Sequence, residues 1–220
     1  MPENRYFIDQ PLKQGESLQI PKEELKHLRV MRKQPGDSIE LVNGRNQLAQ
    51  ATLTDLETAT LTAVHQTAPS REIILALGLL RPKNLDWVIE KGTELGATSF
   101  WLFPAQKSEK KGLSENQQSR LRHLTISALK QCGRLDLPSI ILKPTLSDWD
   151  PLPIPLFYGD LEATTPFAPK GSVIIAIGPE SGFTSHELQT LLSLGGTSIR
   201  LSSNTLRAET AAICALSKTS

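Results

Sequence analysis

Past residue 70 the chain carries short, nearly unbroken apolar runs at 73–80, 100–103, 140–142, 154–158 and 173–177. Runs this short, with no polar alternation, mark strands covered on both faces, the condition of a parallel sheet lying under helices. The stretches between them read as helices with defined ends. Asn84 stands as cap of a helix whose Leu85, Val88, Ile89 and Leu95 share a face, and Gly96 stops it. Ser114 opens another, with Leu121, Leu124, Ala128, Leu129 and Cys132 along its inner stripe up to Gly133. Thr184 and Glu187 have capping-box spacing ahead of Leu188, Leu191 and Leu192, with Gly195 near the end. The alternation predicts an α/β unit: a parallel sheet with helices on both faces.

The first 70 residues follow a different period. Thr, Val, Ile and Leu are dense and turn residues recur closely, so a small β-rich domain is expected. Its clearest element runs over 38–42, then Asn43-Gly44, then an alternating run through Leu48, Ala49, Ala51 and Leu53. Asn-Gly favours a two-residue hairpin of type I′ because both residues tolerate positive φ. One helix interrupts these strands, opening after Pro21, carrying Leu25, Leu28 and Met31 inward, and ending at Pro35-Gly36. Its other faces hold Lys26, His27, Arg29, Arg32 and Lys33, a cationic surface suited to phosphate or simply a solvated face. Residues 67–71 lack apolar periodicity and are read as the linker, giving domains at 1–68 and 71–220.

Charge announces no partner: 24 Lys and Arg stand against 23 Asp and Glu, and only 71–150 is basic, by 12 to 9. The chain opens on no long apolar stretch, and no run approaches the roughly 20 residues that span a bilayer, so a soluble cytoplasmic protein with no membrane partner is expected. Cys132 and Cys214 have neither disulfide nor metal-ligand spacing; both are read as packed thiols, and no metal is expected. P-loop and dinucleotide fingerprints are absent from the sequence.

In an open α/β sheet the ligand lies beyond the carboxyl ends of the strands. Two loops there draw notice. One is Gly178-Pro179-Glu180-Ser181-Gly182-Phe183, between an apolar run and a capped helix. The other runs over 201–211 and gathers Arg207, Glu209 and Thr210 at a helix start, where Asn204 or Thr205 would be the cap. Taken singly, each of these residues is as well explained by turn and cap geometry.

Together they are more specific. Gly-Pro-Glu-x-Gly-Phe followed about twenty residues later by Leu-Arg-x-Glu-Thr-Ala resembles the 16S ribosomal RNA uracil-N3 methyltransferase family (ribosomal RNA small subunit methyltransferase E) of the SPOUT superfamily. Glu90-Lys91-Gly92-Thr93-Glu94-Leu95-Gly96-Ala97 is similar to its Lys-Ala-Thr-Glu-Leu-Gly segment, and Gln131-Cys132-Gly133-Arg134 to its Gln-Ser-Gly-Arg. His27 to Arg32 with Pro35-Gly36-Asp37 resembles its N-terminal signature, so the likeness spans nearly the whole chain in order.

The resemblance implies a PUA-like β-barrel domain followed by a SPOUT α/β domain with a trefoil knot. It implies S-adenosyl-L-methionine as cofactor, held by three loops through Phe157, Gly159, Gly178, Pro179, Glu180, Gly182, Leu201, Ser202 and Leu206. It implies a uridine of 16S rRNA in the small ribosomal subunit as substrate, and a homodimer packed partly through 211–216. Arg207 would stabilise the uracil anion, Glu209 orient it or accept the proton, and Thr210 hydrogen-bond cofactor or base. Arg5, Lys26, Arg29, Arg32 and Lys33, with Lys107, Lys110 and Lys111, would grip phosphates. The chain departs from the family at Ser181, where a glycine is usual, and at Leu201-Ser202-Ser203-Asn204, where Leu-Gly-Pro-Arg is usual. Two other readings stay open: a SPOUT enzyme acting on ribose 2′-hydroxyls or transfer RNA, and an RNA-binding assembly factor that has lost catalysis.

Overall fold

The computed structural model describes residues 4–219; the first three residues and Ser220 lie outside the described residues. The chain forms two compact units, and they interleave in sequence. The first takes the residues up to Ser70 together with Ile126–Leu137; the second takes Arg71–Thr125 and the chain from Pro138 onward. The change of unit after Ser70 falls within the linker at 67–71, and 126–137 packs with the N-terminal unit in addition. The reason is apolar: Leu129 is fully buried with Phe7 and Val42, and Ile126, Leu135 and Leu137 pack on the same cluster.

The first unit contains β1 (Arg5–Phe7), β2 (Ser17–Gln19), α1 (Lys22–Val30), β3 (Ser38–Val42), β4 (Gln47–Leu53) and β5 (Thr58–Gln66). Their order in the sheet is β1-β3-β4-β5-β2, with β1 parallel to β3 and the remaining pairs antiparallel. A register shift between Gln50 and Ala51 bends the β4–β5 pair. Alternation in β4 turns Ala49, Ala51 and Leu53 into a core shared with Tyr6, Ile39, Leu41 and Leu28 of α1.

Two local expectations fail here for tertiary reasons. The β3–β4 connection is four residues, 43–46, rather than the two-residue Asn-Gly turn. Asn43 instead spends its amide on Gln47 Oε1 (2.5 Å) and its Oδ1 on the Arg45 amide (2.8 Å). Gly44, at φ 70°, lies against the 135–137 segment so closely that a Cβ would stand 2.6 Å from Leu137 Cβ. Met31 is exposed rather than inward, because α1 ends at Val30 and Arg32 takes a left-handed conformation (φ 53°). The Lys33 amide bonds Leu28 O and the Arg32 amide bonds Arg29 O, the Schellman pairing that usually places glycine at the Arg32 position.

The second unit contains β6 (Ile73–Gly78), α2 (Pro82–Glu94), β7 (Ser99–Phe103), most of α3 (Glu115–Cys132), β8 (Ser139–Leu142), β9 (Leu156–Gly159), β10 (Val173–Ile177), α4 (Ser185–Ser193), β11 (Thr197–Ile199) and α5 (Ala208–Ser217). The sheet is wholly parallel, in the order β11-β9-β10-β6-β7-β8. β6 and β10 lie at its centre and every residue of both is buried, as their unbroken apolar runs require. β8 departs from that expectation: it is an edge strand, and Ile141 and Leu142 are exposed.

Helix ends follow the sequence in part. Ser114 Oγ accepts from the Gln117 amide and Gln117 Oε1 from the Ser114 amide, a capping box. Thr184 and Glu187 form the second one. α2 starts two residues ahead of Asn84, with Pro82 in its first turn, where a missing N–H costs nothing. α5 is preceded by Arg207, so neither Asn204 nor Thr205 caps it. Cys132 is exposed rather than packed. After β11 the chain pairs Arg200 with Pro166 of the 160–172 loop and then returns as α5 onto α2 and the central strands. No helix among the described residues is long and apolar enough to cross a membrane.

Tyr6 lies beneath α1, its ring 4.8 Å from that of His27, with its hydroxyl buried and without a hydrogen-bond partner among the described residues. Burial, and then the Glu24 and Asp37 carboxylates, push its pKa up to about 12 from 10.0. The folded state therefore keeps this proton in a range where the unfolded chain loses it. Tyr6 should lend stability that is intact below pH 10 and falls by up to ~1.4 kcal/mol per pH unit between pH 10 and about 12. Urea unfolding of wild type and Tyr6→Phe across this interval checks it: the variant's stability should fall less steeply.

Candidate active site

The carboxyl ends of β9, β10 and β11 open into one hollow of about 330 Å³. Ile177, Ile199, Leu201 and Leu206 give it an apolar floor, and its walls are the turns at 159–161, 178–183 and 200–206. Three strand ends converge because β9 lies between β10 and β11 in the sheet.

Missing side chains shape it. Gly178 sits where a Cβ would come 3.0 Å from the Phe183 amide and 3.1 Å from Gly182 C, so the turn can close on itself only with glycine there. At the neighbouring strand end, a Cβ on Gly78 would stand 2.9 Å from Pro179. Gly182 has φ 68° and open space where a side chain would project, so its requirement is conformational rather than steric. Ser181, Ser202 and Ser203 are not among the residues of positive φ, and serine is accommodated at each without left-handed strain.

The turn at 178–183 is anchored from outside the hollow. Glu180 Oε1 accepts from the Arg81 amide (3.0 Å) and from Asn84 Nδ2 (3.1 Å), capping α2. Asn84 thus serves as a partner of this carboxylate and not as the cap itself. Lys107 Nζ donates to Ser181 O and Phe183 O, both at 3.2 Å, one on each side of Gly182. Buried Glu187 accepts from the Gln106 amide (2.8 Å) and from Thr184. Arg81 in turn pairs with Glu109, whose carboxyl is held below its ordinary value by that guanidinium.

The sequence-derived residues divide clearly. Gly159, Gly178, Pro179, Glu180, Gly182, Leu201, Ser202 and Leu206 all line the hollow. Phe157 does not; its ring packs on Phe167, centroids 5.2 Å apart. Arg207 is exposed between the lining residues Leu206 and Ala208, Thr210 is exposed one turn on, and Glu209 is half-buried with Oε2 enclosed and unpartnered. Asp160 and Arg200, which also line the hollow, escaped the sequence reading although both stand at strand carboxyl ends, where loops hold ligands.

Among the expected phosphate-binding residues, Lys26, Arg29 and Arg32 are exposed and make no ion pair among the described residues. Lys33 is half-buried and reaches Ser38 O at 3.4 Å. Lys110 is exposed, while Lys111 is tied to Ala105 O and Gln106 O. Arg5 is a correction: it is 7% exposed, and its Nε and Nη2 hold Glu40 Oε2 at 3.0 and 2.8 Å, so it is committed to the sheet. Lys107 is exposed, and its ammonium also braces the 178–183 turn.

Comparison with known proteins bears on both units. The family model described as an RNA methyltransferase domain matches residues 66–220, and that described as an RNA methyltransferase PUA domain matches 20–64. The chain belongs to the RNA methyltransferase family. Within it, ribosomal RNA small subunit methyltransferase E of Bacillus subtilis (strain 168) is 29% identical, with 97% of this chain and 94% of that one covered. The protein of the same name from Mesomycoplasma hyopneumoniae (strain 232) is 32% identical over 68% of this chain and 70% of its own. A crystal structure of ribosomal RNA small subunit methyltransferase E from Neisseria gonorrhoeae bound to S-adenosyl methionine superposes with a TM-score of 0.88 at 23% identity, covering 97% and 94%. The curled sheet is thus PUA-like and the parallel sheet SPOUT-like, as the resemblance implied.

If Lys107 braces the turn, Lys107→Met should speed amide exchange across 180–184 while global stability changes by no more than about 1 kcal/mol. Hydrogen-exchange mass spectrometry checks this, and an unchanged rate would leave Lys107 as a surface cation only.

Proposed function

We propose that this RNA methyltransferase transfers a methyl group from S-adenosylmethionine to N3 of a uridine in 16S ribosomal RNA of the small subunit. The observation that carries the reading is the hollow at three converging strand ends, in a chain matched nearly end to end by relatives named ribosomal RNA small subunit methyltransferase E. Residues of the hollow fit the cofactor. Its volume lies within the range of small-molecule sites, its floor is apolar for a nucleobase, and its glycine turns bring main-chain groups close. Asp160 and Glu180 add negative charge beside a cationic ligand. When bound, S-adenosylmethionine supplies an electrophilic methyl group on a sulfonium.

The chain's own residues have the remaining work. N3 of uracil carries a proton and must shed it, at least in part, as it becomes a nucleophile. Arg207, exposed beside the hollow, is the cation for the charge that develops on the uracil oxygens. Glu209, two residues on with an unpartnered carboxylate oxygen, orients Arg207 or takes the proton, and Thr210 hydrogen-bonds cofactor or base. The target uridine is unpaired or extruded, because pairing hides N3.

In the PUA-like unit, Lys26, Arg29, Arg32 and Lys33 contact phosphates, and Lys110 does so on the catalytic unit. The enzyme acts in the cytoplasm, on assembled subunits. It works as a homodimer. Ala212, Ala215 and Leu216 of α5 are buried within their own subunit and Ala211 lines the hollow, which leaves half-buried Ile213 and Cys214 of α5 and exposed Trp87 of α2 for the partner copy.

Labelled S-adenosylmethionine should methylate small subunits lacking the modification, and nuclease digestion with mass spectrometry should return N3-methyluridine. A 2′-O-methylated product, or none, would overturn the assignment. Arg207→Ala should lower turnover about a hundredfold or more while cofactor affinity stays within about twofold. In RNA-binding titrations at several salt concentrations, replacing Lys26, Arg29 and Arg32 together by Ala should flatten the log–log slope by about 2–3. A wild-type slope would take α1 out of the RNA surface.

A further inference from the structure

Arg200 follows β11 directly and is half-buried on the wall of the hollow. Among the described residues its side chain holds no carboxylate. Nε donates to Ser202 O at 2.7 Å, Nη2 to Ser203 O at 3.0 Å, and Nη1 to Leu161 O. Its main chain adds a fourth link, the Arg200 amide to Thr165 O at 3.0 Å. Three of the five guanidinium donors thus end on carbonyls of two turns, 160–165 and 201–204, that are some 40 residues apart in sequence and lie side by side at the rim of the hollow.

We infer that Arg200 is a positioning residue for cofactor binding: its guanidinium clamps together two of the three turns that form the hollow. The inference rests on the proposed function for the identity of the ligand, and on geometry for the clamp. The 201–204 turn has particular need of it. Ser202-Ser203-Asn204 offers neither a proline to fix φ nor a positive-φ glycine, and its local hydrogen bond is the Asn204 amide to Ser202 Oγ at 3.1 Å. Unclamped, the turn has many conformations to lose when a ligand binds; clamped, it has already lost them. The planar fork suits the task, since the three donors of a lysine sit on a single nitrogen, whereas here Nε, Nη1 and Nη2 each reach a different carbonyl.

Arg200→Met keeps the length of the side chain and removes every donor; Arg200→Lys keeps the charge. Calorimetry with S-adenosylmethionine should show affinity weakened about tenfold or more in Arg200→Met and partly restored in Arg200→Lys. Steady-state kinetics should show a raised KM for the cofactor with kcat and the KM for RNA near wild type. Hydrogen exchange should quicken at 161–165 and 202–204 and not in the central strands. Affinity within twofold of wild type in a folded Arg200→Met overturns the inference, as does a uniform loss of exchange protection over the whole unit. Should Arg200→Met fail to fold, Arg200→Lys decides, and wild-type affinity with wild-type exchange in it is equally fatal. If wild type itself binds no S-adenosylmethionine, the proposed function falls; the clamp is then judged by exchange alone, and unchanged rates at both turns overturn it.

Discussion

Two parallel strands at the centre of the larger sheet end in glycine, and the turn leaving one of them lies flat on the end of the other. Gly78 makes that contact, since a Cβ there would stand 2.9 Å from Pro179, and Gly178 lets the turn fold back on its own Gly182 and Phe183. A methyl group at either position meets main-chain atoms, which cannot rotate aside as a side chain can. The depth of the hollow and the direction of the 178–183 turn both follow from this approach. Buried apolar strands on either side, β6 and β10, leave it no freedom to widen.

With the turn set in this way, its polar groups are tied to the neighbouring elements. Glu180 caps α2, Lys107 takes two carbonyls, and Glu187 ties the following helix to the Gln106 amide. Rigid support from behind keeps a binding wall in shape before anything binds, so little ordering remains to oppose association. On the opposite wall Arg200 links three carbonyls, with Cys214 Sγ reaching Leu201 O from α5.

Much of this was legible in the sequence, for reasons that can be named. β10 coincides with its apolar run at 173–177, and the capping boxes at Ser114 and Thr184 obey spacing rules local to a few residues. The hollow's residues were found because strand carboxyl ends point to it and the Gly-Pro-Glu and Leu-Arg motifs resemble a family. What escaped depends on partners far along the chain. Glu180 meets Arg81 across 99 positions and Lys107 meets Ser181 across 74, so neither pairing leaves a local trace. Arg5 looked like a free cation because Glu40 is 35 residues away. Asn43-Gly44 looked like a tight hairpin because the 135–137 segment pressing on Gly44 lies beyond any window used to read a turn.

That last segment has a consequence for how the protein is made. The smaller unit draws Leu129, Leu135 and Leu137 into its apolar cluster, so its first 70 residues leave the ribosome with one side of their core bare. About 60 more must be synthesised before the missing piece arrives, in the midst of a chain that otherwise builds the other unit. Folding therefore cannot proceed as two finished beads emerging in turn. A gene fragment stopped at the linker would keep all five strands of the smaller sheet but leave Phe7, Val42 and Leu48 uncovered, so a dissection of the protein should carry 126–137 along with its N-terminal part.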